Sequence, residues 1–241
     1  MSFWLAVRYK VSSGSPQQRF QMTEFSSDTA IARANMVDRQ VRPNQVNDQR
    51  VISAMRNLPR EAFAPAGSKP YADADIALDN GRVMLAPLLI ARLTQLVLAS
   101  NPAHILVIGA GSGYSAAILA SSGAMVVGLD FPAVHNLGPV PANVTMVTGP
   151  LTAGWPAAGP YEAILIEGAV PEIPANLASQ LTADGKVVAI LADKPDGGGN
   201  LASLGRVVVA QPSGSGFAIT KMFDCMAPNL PAFQSAPAFV F

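Results

Sequence analysis

The stretch His104-Ile-Leu-Val-Ile-Gly-Ala-Gly-Ser-Gly-Tyr114 decides the fold. Ile105–Ile108 is an unbroken apolar run that reads as a buried strand. Gly109, Gly111 and Gly113 then break the run, and Tyr114-Ser-Ala-Ala-Ile-Leu119 resumes as a helix predicted over 114–121. Strand, glycine turn and helix in that order open a βαβ unit.

Working outward, the same rhythm continues downstream. Met125–Leu129, Val144–Val147, Tyr161–Ile166 and Lys186–Leu191 read as further strands, with a helix near 174–181. None alternates strictly between polar and apolar residues, so both faces are expected under helices. That is the pattern of a doubly wound, mostly parallel α/β sheet. Two extended segments, 201–211 and 217–226, flank Ser213-Gly-Ser-Gly216 and predict a carboxy-terminal β-hairpin. The Pro- and Phe-rich tail from Pro228 to Phe241 is expected to pack as an irregular strap.

Upstream, three helices are expected as an amino-terminal cap. Ser27-Asp-Thr29 starts one that runs to about Gln40, ended by Pro43. Asp48 caps a second, with Val51, Ile52 and Met55 on one face and Pro59 as its stop. Pro87 opens a third over 87–99, and residues 60–83 between them look loop-like. Residues 1–21 read as a disordered extension, with Met22 as a possible physiological start; residues 22–241 read as a single domain.

Composition narrows the partners. Half of the 241 residues are hydrophobic, enough for one large core. Sixteen basic residues balance sixteen acidic ones, so no cationic excess points to nucleic acid. No apolar run approaches the roughly 20 residues that span a bilayer. Cys225 is the single cysteine, which excludes an intramolecular disulfide and cysteine-based zinc sites and fits a reducing cytoplasm. With only His104 and His135 beside it, no metal site is expected.

The chemistry lies in the glycine loop and one acid. A glycine-lined strand-to-helix turn lets a ligand approach the backbone closely, and the free amides favour a negative group. Dinucleotide sites place the third glycine at the sixth loop position. Here Tyr114 stands there and the glycine comes one residue earlier, which tilts the reading from NAD to S-adenosylmethionine. No Lys-Ser/Thr follows, so the loop is not a Walker phosphate loop. Asp130 ends the second strand, 21 residues beyond Gly109, where a carboxylate can accept both ribose hydroxyls. A plain tight turn, with Asp130 as a strand-end cap, is the alternative.

From about Met36 to Leu191 the chain resembles the protein-L-isoaspartate O-methyltransferase family. The resemblance rests on an ordered set of segments. They are Val37-Asp-Arg-Gln-Val-Arg-Pro43, Pro59-Arg-Glu-Ala-Phe-Ala-Pro65, Tyr71-Ala-Asp73 with Ala77-Leu78, Ile108–Leu119, Tyr161–Ile166 and Pro171-Glu-Ile-Pro174. It implies a class I S-adenosylmethionine-dependent methyltransferase fold. It also implies carboxyl methylation of isoaspartyl residues in damaged proteins, so a protein or peptide partner. The cofactor residues it implies are Gly109, Ala110, Gly111, Ser112, Gly113, Asp130 and Gly149; it names no catalytic residue.

The departures fall at functional positions. Gly81-Arg-Val-Met-Leu-Ala-Pro87 carries Val83 and Leu85 where the family has threonine and serine. Pro150 replaces an aspartate that would accept from the adenine amino group. Glu167-Gly-Ala169 replaces threonine-alanine-alanine and either puts a carboxylate near the cofactor pocket or points to solvent. A methyltransferase for a different acceptor and a non-catalytic S-adenosylmethionine-binding partner module are the rival readings. Trp155 is a candidate to flank the adenine, and Arg39, Arg42 and Arg60 are candidates for a substrate carboxylate, although exposed arginines usually are not.

Overall fold

The computed structural model describes residues 28–131, 138–193 and 202–233. Residues 1–21, His135, the turn Gly197–Gly199 and most of the terminal strap lie outside the described residues.

Helix α1 covers 28–36 and runs on through a wide turn at Val37–Val41 and a tight one at Arg42–Asn44. It therefore passes its expected end near Gln40. Pro43 does not stop it, because proline is tolerated at the start of the tight turn, where its missing N–H is not needed. Gln45, in left-handed backbone (φ 66°), stops it instead. Helix α2, Gln49–Asn57, begins as read: the Asp48 carboxylate accepts the Arg50 amide at 2.9 Å. Helices α3, Pro87–Leu98, and α4, Tyr114–Ala120, also follow the sequence.

The expected loop before α3 holds a small ladder. Strands β1, Ile76–Ala77, and β2, Val83–Met84, pair antiparallel across a tight turn at Asp79–Gly81. The main sheet contains β3 (His104–Ile108), β4 (Met125–Asp130), β5 (Val144–Thr148), β6 (Tyr161–Val170), β7 (Leu181–Ala192), β8 (Ala202–Ser213) and β9 (Gly216–Pro228). Its order is β5-β4-β3-β6-β7-β8-β9. The first five of these are parallel, and the β8–β9 hairpin completes the sheet antiparallel.

Successive side chains of a strand point to opposite faces, and here both faces are buried. Ile105, Val107 and Leu165 pack with Phe63, Leu93 and Tyr114 under the helices. Leu106, Ile108, Ile164 and Ile166 pack on the opposite face with Leu151, Leu177 and Phe233. Among the described residues that second face is covered by tight turns, at Leu151–Ala153, Pro156–Ala158, Ala175–Gln180 and Pro231–Phe233. The α-helix expected near 174–181 is thus a 3-10 segment. Its polar side chains bind backbone instead of leaving it to a helix: Ser179 Oγ donates to the Asn176 carbonyl at 2.9 Å, and Gln180 Nε2 to the Ala153 carbonyl at 2.8 Å.

Candidate functional site

The parallel strands deliver their carboxyl ends to one place, where an open α/β sheet presents a crevice. Gly109 (φ 79°) and Gly113 (φ 88°) carry the chain from β3 into α4 through left-handed backbone that a side chain would strain. The loop is tied down, since the amides of Gly109 and Ala110 both donate to the Leu129 carbonyl, at 2.8 and 3.1 Å. Ala110 and Ser112 are buried within it, and Ser112 Oγ lies 3.7 Å from Met84 Sδ. Asp130 ends the neighbouring strand, and its carbonyl accepts the Gly149 amide at 3.2 Å. A Cβ on Gly149 would lie 3.0 Å from the Trp155 ring, which closes that side of the crevice. All seven sequence-predicted cofactor residues therefore meet at the ends of β3, β4 and β5.

Asp130 is 3% exposed and its carboxylate is fully engaged. Oδ2 accepts the Gly111 amide at 2.6 Å, and Oδ1 accepts the Phe131 amide at 2.8 Å. Arg82 Nε reaches both oxygens, at 2.9 and 3.2 Å, and its Nη2 donates to the Gly109 carbonyl at 2.7 Å. Arg82 is almost as buried, at 4%. Leu78 and Leu230 press on the same loop, lying 3.1 and 3.0 Å from where side chains on Gly111 and Gly109 would start. Leu230 is fixed by its amide, which donates to the Ala169 carbonyl at 2.8 Å.

Glu167 points inward. It is 5% exposed, so the solvent-facing reading is wrong. The cause is a bulge in β6: between Leu165, opposite Val188, and Ala169, opposite Ile190, the register shifts. Gly168 absorbs the kink at φ 146°. Bulges of this kind re-aim side chains beside functional sites. Burial pushes the Glu167 carboxyl up to about 7, against the pull of the Ser115 hydroxyl and of Arg82. Its Oε2 has no hydrogen-bond partner among the described residues.

Arg60 is fully buried rather than exposed. Its Nε donates to the Pro70 carbonyl at 2.8 Å and its Nη2 to the Leu85 carbonyl at 2.7 Å, while Nη1 has no partner. The guanidinium stands 4.8 Å from the centre of the Tyr114 ring. Arg39 and Arg42 are exposed, and Arg42 pairs with Asp38 at 3.3 Å. Leu85 is packed in the core at 1% exposure, so this position supplies a backbone carbonyl and no polar side chain. His104 plays a structural part: its Nδ1 lies 3.2 Å from the Pro160 carbonyl and its ring packs on Tyr161. Cys225 is half-buried against the helical-face core, which raises its thiol to about 11.

Sequence reasoning did not single out Arg82 or Ser115. The signal for Arg82 was a lone charge within Gly81-Arg-Val-Met-Leu-Ala-Pro87, where a buried arginine must find a buried acid.

The profile of the protein-L-isoaspartate(D-aspartate) O-methyltransferase family matches residues 32–196. Among curated relatives, the protein-L-isoaspartate O-methyltransferase of Herpetosiphon aurantiacus is 37% identical over 175 residues, covering 68% of this chain and 77% of its own. That of Methanoregula boonei is 38% identical over 165 residues, covering 65% and 76%. Among solved structures, a protein-L-isoaspartate O-methyltransferase superposes with a TM-score of 0.63 at 20% identity, covering 77% of this chain and 62% of that one. A beta-aspartate methyltransferase from Plasmodium falciparum, in complex with S-adenosyl-L-homocysteine, gives 0.64 at 17% identity, covering 82% and 97%. These two likenesses establish the fold, a class I methyltransferase sheet. The glycine loop, the acid at the end of β4 and the match along most of its length together show that the chain belongs to the protein-L-isoaspartate O-methyltransferase family.

Proposed function

We propose that this protein transfers a methyl group from S-adenosylmethionine to a carboxylate of a protein or peptide, with an isoaspartyl residue as acceptor. The observation that carries the reading is the site at the ends of β3 and β4. There, bare glycine backbone at Gly109–Gly113 faces a buried carboxylate, Asp130, fixed by the Gly111 and Phe131 amides. The residues fit an adenosine-bearing group. In this reading Asp130 accepts ribose hydroxyls once Arg82 releases it, the loop amides face the methionyl carboxylate, and Trp155 beside Gly149 borders the base.

S-adenosylmethionine supplies a methyl group already activated on a sulfonium. The protein's task is then to position it, exclude water and align the acceptor oxygen. Leu78, Leu85 and Leu230 make the surroundings apolar. Arg60, buried with its Nη1 unpartnered among the described residues, is the cation we assign to an anionic acceptor.

Among the described residues no helix is long and apolar enough to cross a membrane. We place the protein in the cytoplasm, as its single cysteine suggests.

Incubating the protein with methyl-labelled S-adenosylmethionine and a peptide containing isoaspartate tests the proposal. Base-labile label on that peptide, and none on the same peptide with normal aspartate, is the expected result. Label on neither peptide contradicts the acceptor. Transfer to another class of acceptor would favour the reading suggested by Val83 and Leu85.

A further inference from the structure

Arg82 already holds both oxygens of the acid that the proposed cofactor's ribose would need. Both Asp130 oxygens already accept from Arg82 and from a backbone amide, so a ribose would have to compete with the guanidinium for them. Binding must break the ion pair. A buried guanidinium cannot then be left without a counter-charge, because the uncompensated charge costs more than most ligand contacts return. A second acid lies within reach of its charge: Arg82 acts on the Glu167 carboxyl, and the backbone of Glu167 borders the same loop. Arg82 Nη2 lies 2.8 Å, and the Glu167 carbonyl 3.2 Å, from the same point above Gly109. The Glu167 side chain is buried, and its Oε2 lacks a partner.

We propose that Arg82 is handed from Asp130 to Glu167 when the adenosyl cofactor binds, so that Asp130 is freed for the ribose without stranding a buried charge. The proposal rests on the methyltransferase reading above. It makes Arg82 and Glu167 positioning residues for cofactor binding. It also gives a physical reason for a glutamate that the bulge at Gly168 turns inward.

The hand-off has a pH signature. The groups that face Glu167 are Arg60 from the turn after α2, Arg82 ahead of β2, Ser115 from α4, and Asp130 from β4. In the unbound protein Glu167 takes up a proton below about 7. Paired with Arg82 in the bound state, it would be held ionised to lower pH. Affinity should therefore be full above pH 7 and fall as pH drops below it.

The test is a double-mutant cycle on binding of S-adenosylhomocysteine, measured by calorimetry at pH 8 on the wild type, Glu167→Gln, Arg82→Gln and the double variant. Glu167→Gln should weaken binding by about tenfold, the worth of one charged hydrogen bond. Adding Arg82→Gln should restore it, because no cation then needs a receptor. Glu167→Gln should also abolish the loss of affinity below pH 7. Equal weakening by Glu167→Gln in both Arg82 backgrounds would overturn the hand-off in favour of direct contact between Glu167 and the cofactor. No weakening in either background would overturn it outright. If Arg82→Gln fails to fold, the pH profile of Glu167→Gln decides: a profile still falling below pH 7 overturns the proposal. Methyl transfer by the wild type with an additive cycle would sink the hand-off alone. Absence of binding in all four proteins would sink the methyltransferase reading with it.

Discussion

Two buried acids stand at the ends of neighbouring parts of one sheet, and their surroundings are opposite. Asp130 closes β4 with every oxygen matched to a donor, two amides and a guanidinium. Glu167 sits in the bulge of β6 with one oxygen unmatched and its proton held up to about 7. Asp130 is thus matched to its donors within the fold, whereas ionisation of Glu167 works against it. The difference separates a carboxylate whose partners come with the chain from one whose partner has yet to arrive.

Removing each acid should have opposite signs. Asp130→Ala removes the carboxylate that Arg82, the Gly111 amide and the Phe131 amide share; with Glu167 receiving Arg82, the loss of stability should be about 1–3 kcal/mol, below the roughly 3–5 kcal/mol of a stranded buried charge, read by denaturant unfolding. It should also abolish S-adenosylhomocysteine binding. A loss of the full amount, about 3–5 kcal/mol, would mean that Glu167 does not receive Arg82. Glu167→Gln should stabilise the unliganded protein above pH 7. The side chain ionises near 4.5 when unfolded but only above about 7 when folded. Its contribution therefore falls as pH rises from 4.5 to 7, and the amide should gain on the order of 3 kcal/mol at pH 8 and nothing at pH 4. A pH-independent effect would remove the contrast with Asp130.

A smaller effect is expected from the bulge itself. Gly168→Ala places a Cβ 3.1 Å from the Leu230 Cβ in backbone that only glycine adopts readily. A loss of about 1–3 kcal/mol should follow, with cofactor affinity reduced as well, because Glu167 is re-aimed. Ser115→Ala should be the mildest. It takes away a hydroxyl that holds the Glu167 pKa down, so stability should change by under about 1 kcal/mol while the pH at which affinity falls moves upward.

The same two acids mark how far the sequence can be read. Asp130 and the glycine loop were legible because their signals are local: an apolar run, a glycine turn and an acid at a fixed spacing. The strands were placed correctly but drawn short. Glu167–Val170 and Leu181–Gly185 extend β6 and β7 through polar residues that interrupt the apolar pattern. The inward turn of Glu167 was not legible, since a bulge depends on the register of the partner strand. Arg60 and Arg82 were hidden for a related reason. Arginine is read as exposed by default, and only tertiary contacts supplied the carbonyls of Pro70 and Leu85 for the one and Asp130 for the other. The 3-10 segment at Ala175–Gln180 was missed because Gln180 is drawn to Trp155 and Ala153 across the sheet edge, contacts that no local spacing reveals.

The most direct test of the account is a calorimetric titration of the wild-type protein with S-adenosylhomocysteine and, separately, with NAD. One site for S-adenosylhomocysteine and no heat with NAD is the predicted result. Binding of NAD, or of neither compound, would contradict the assignment of Gly109–Gly113 and Asp130 to an adenosyl cofactor.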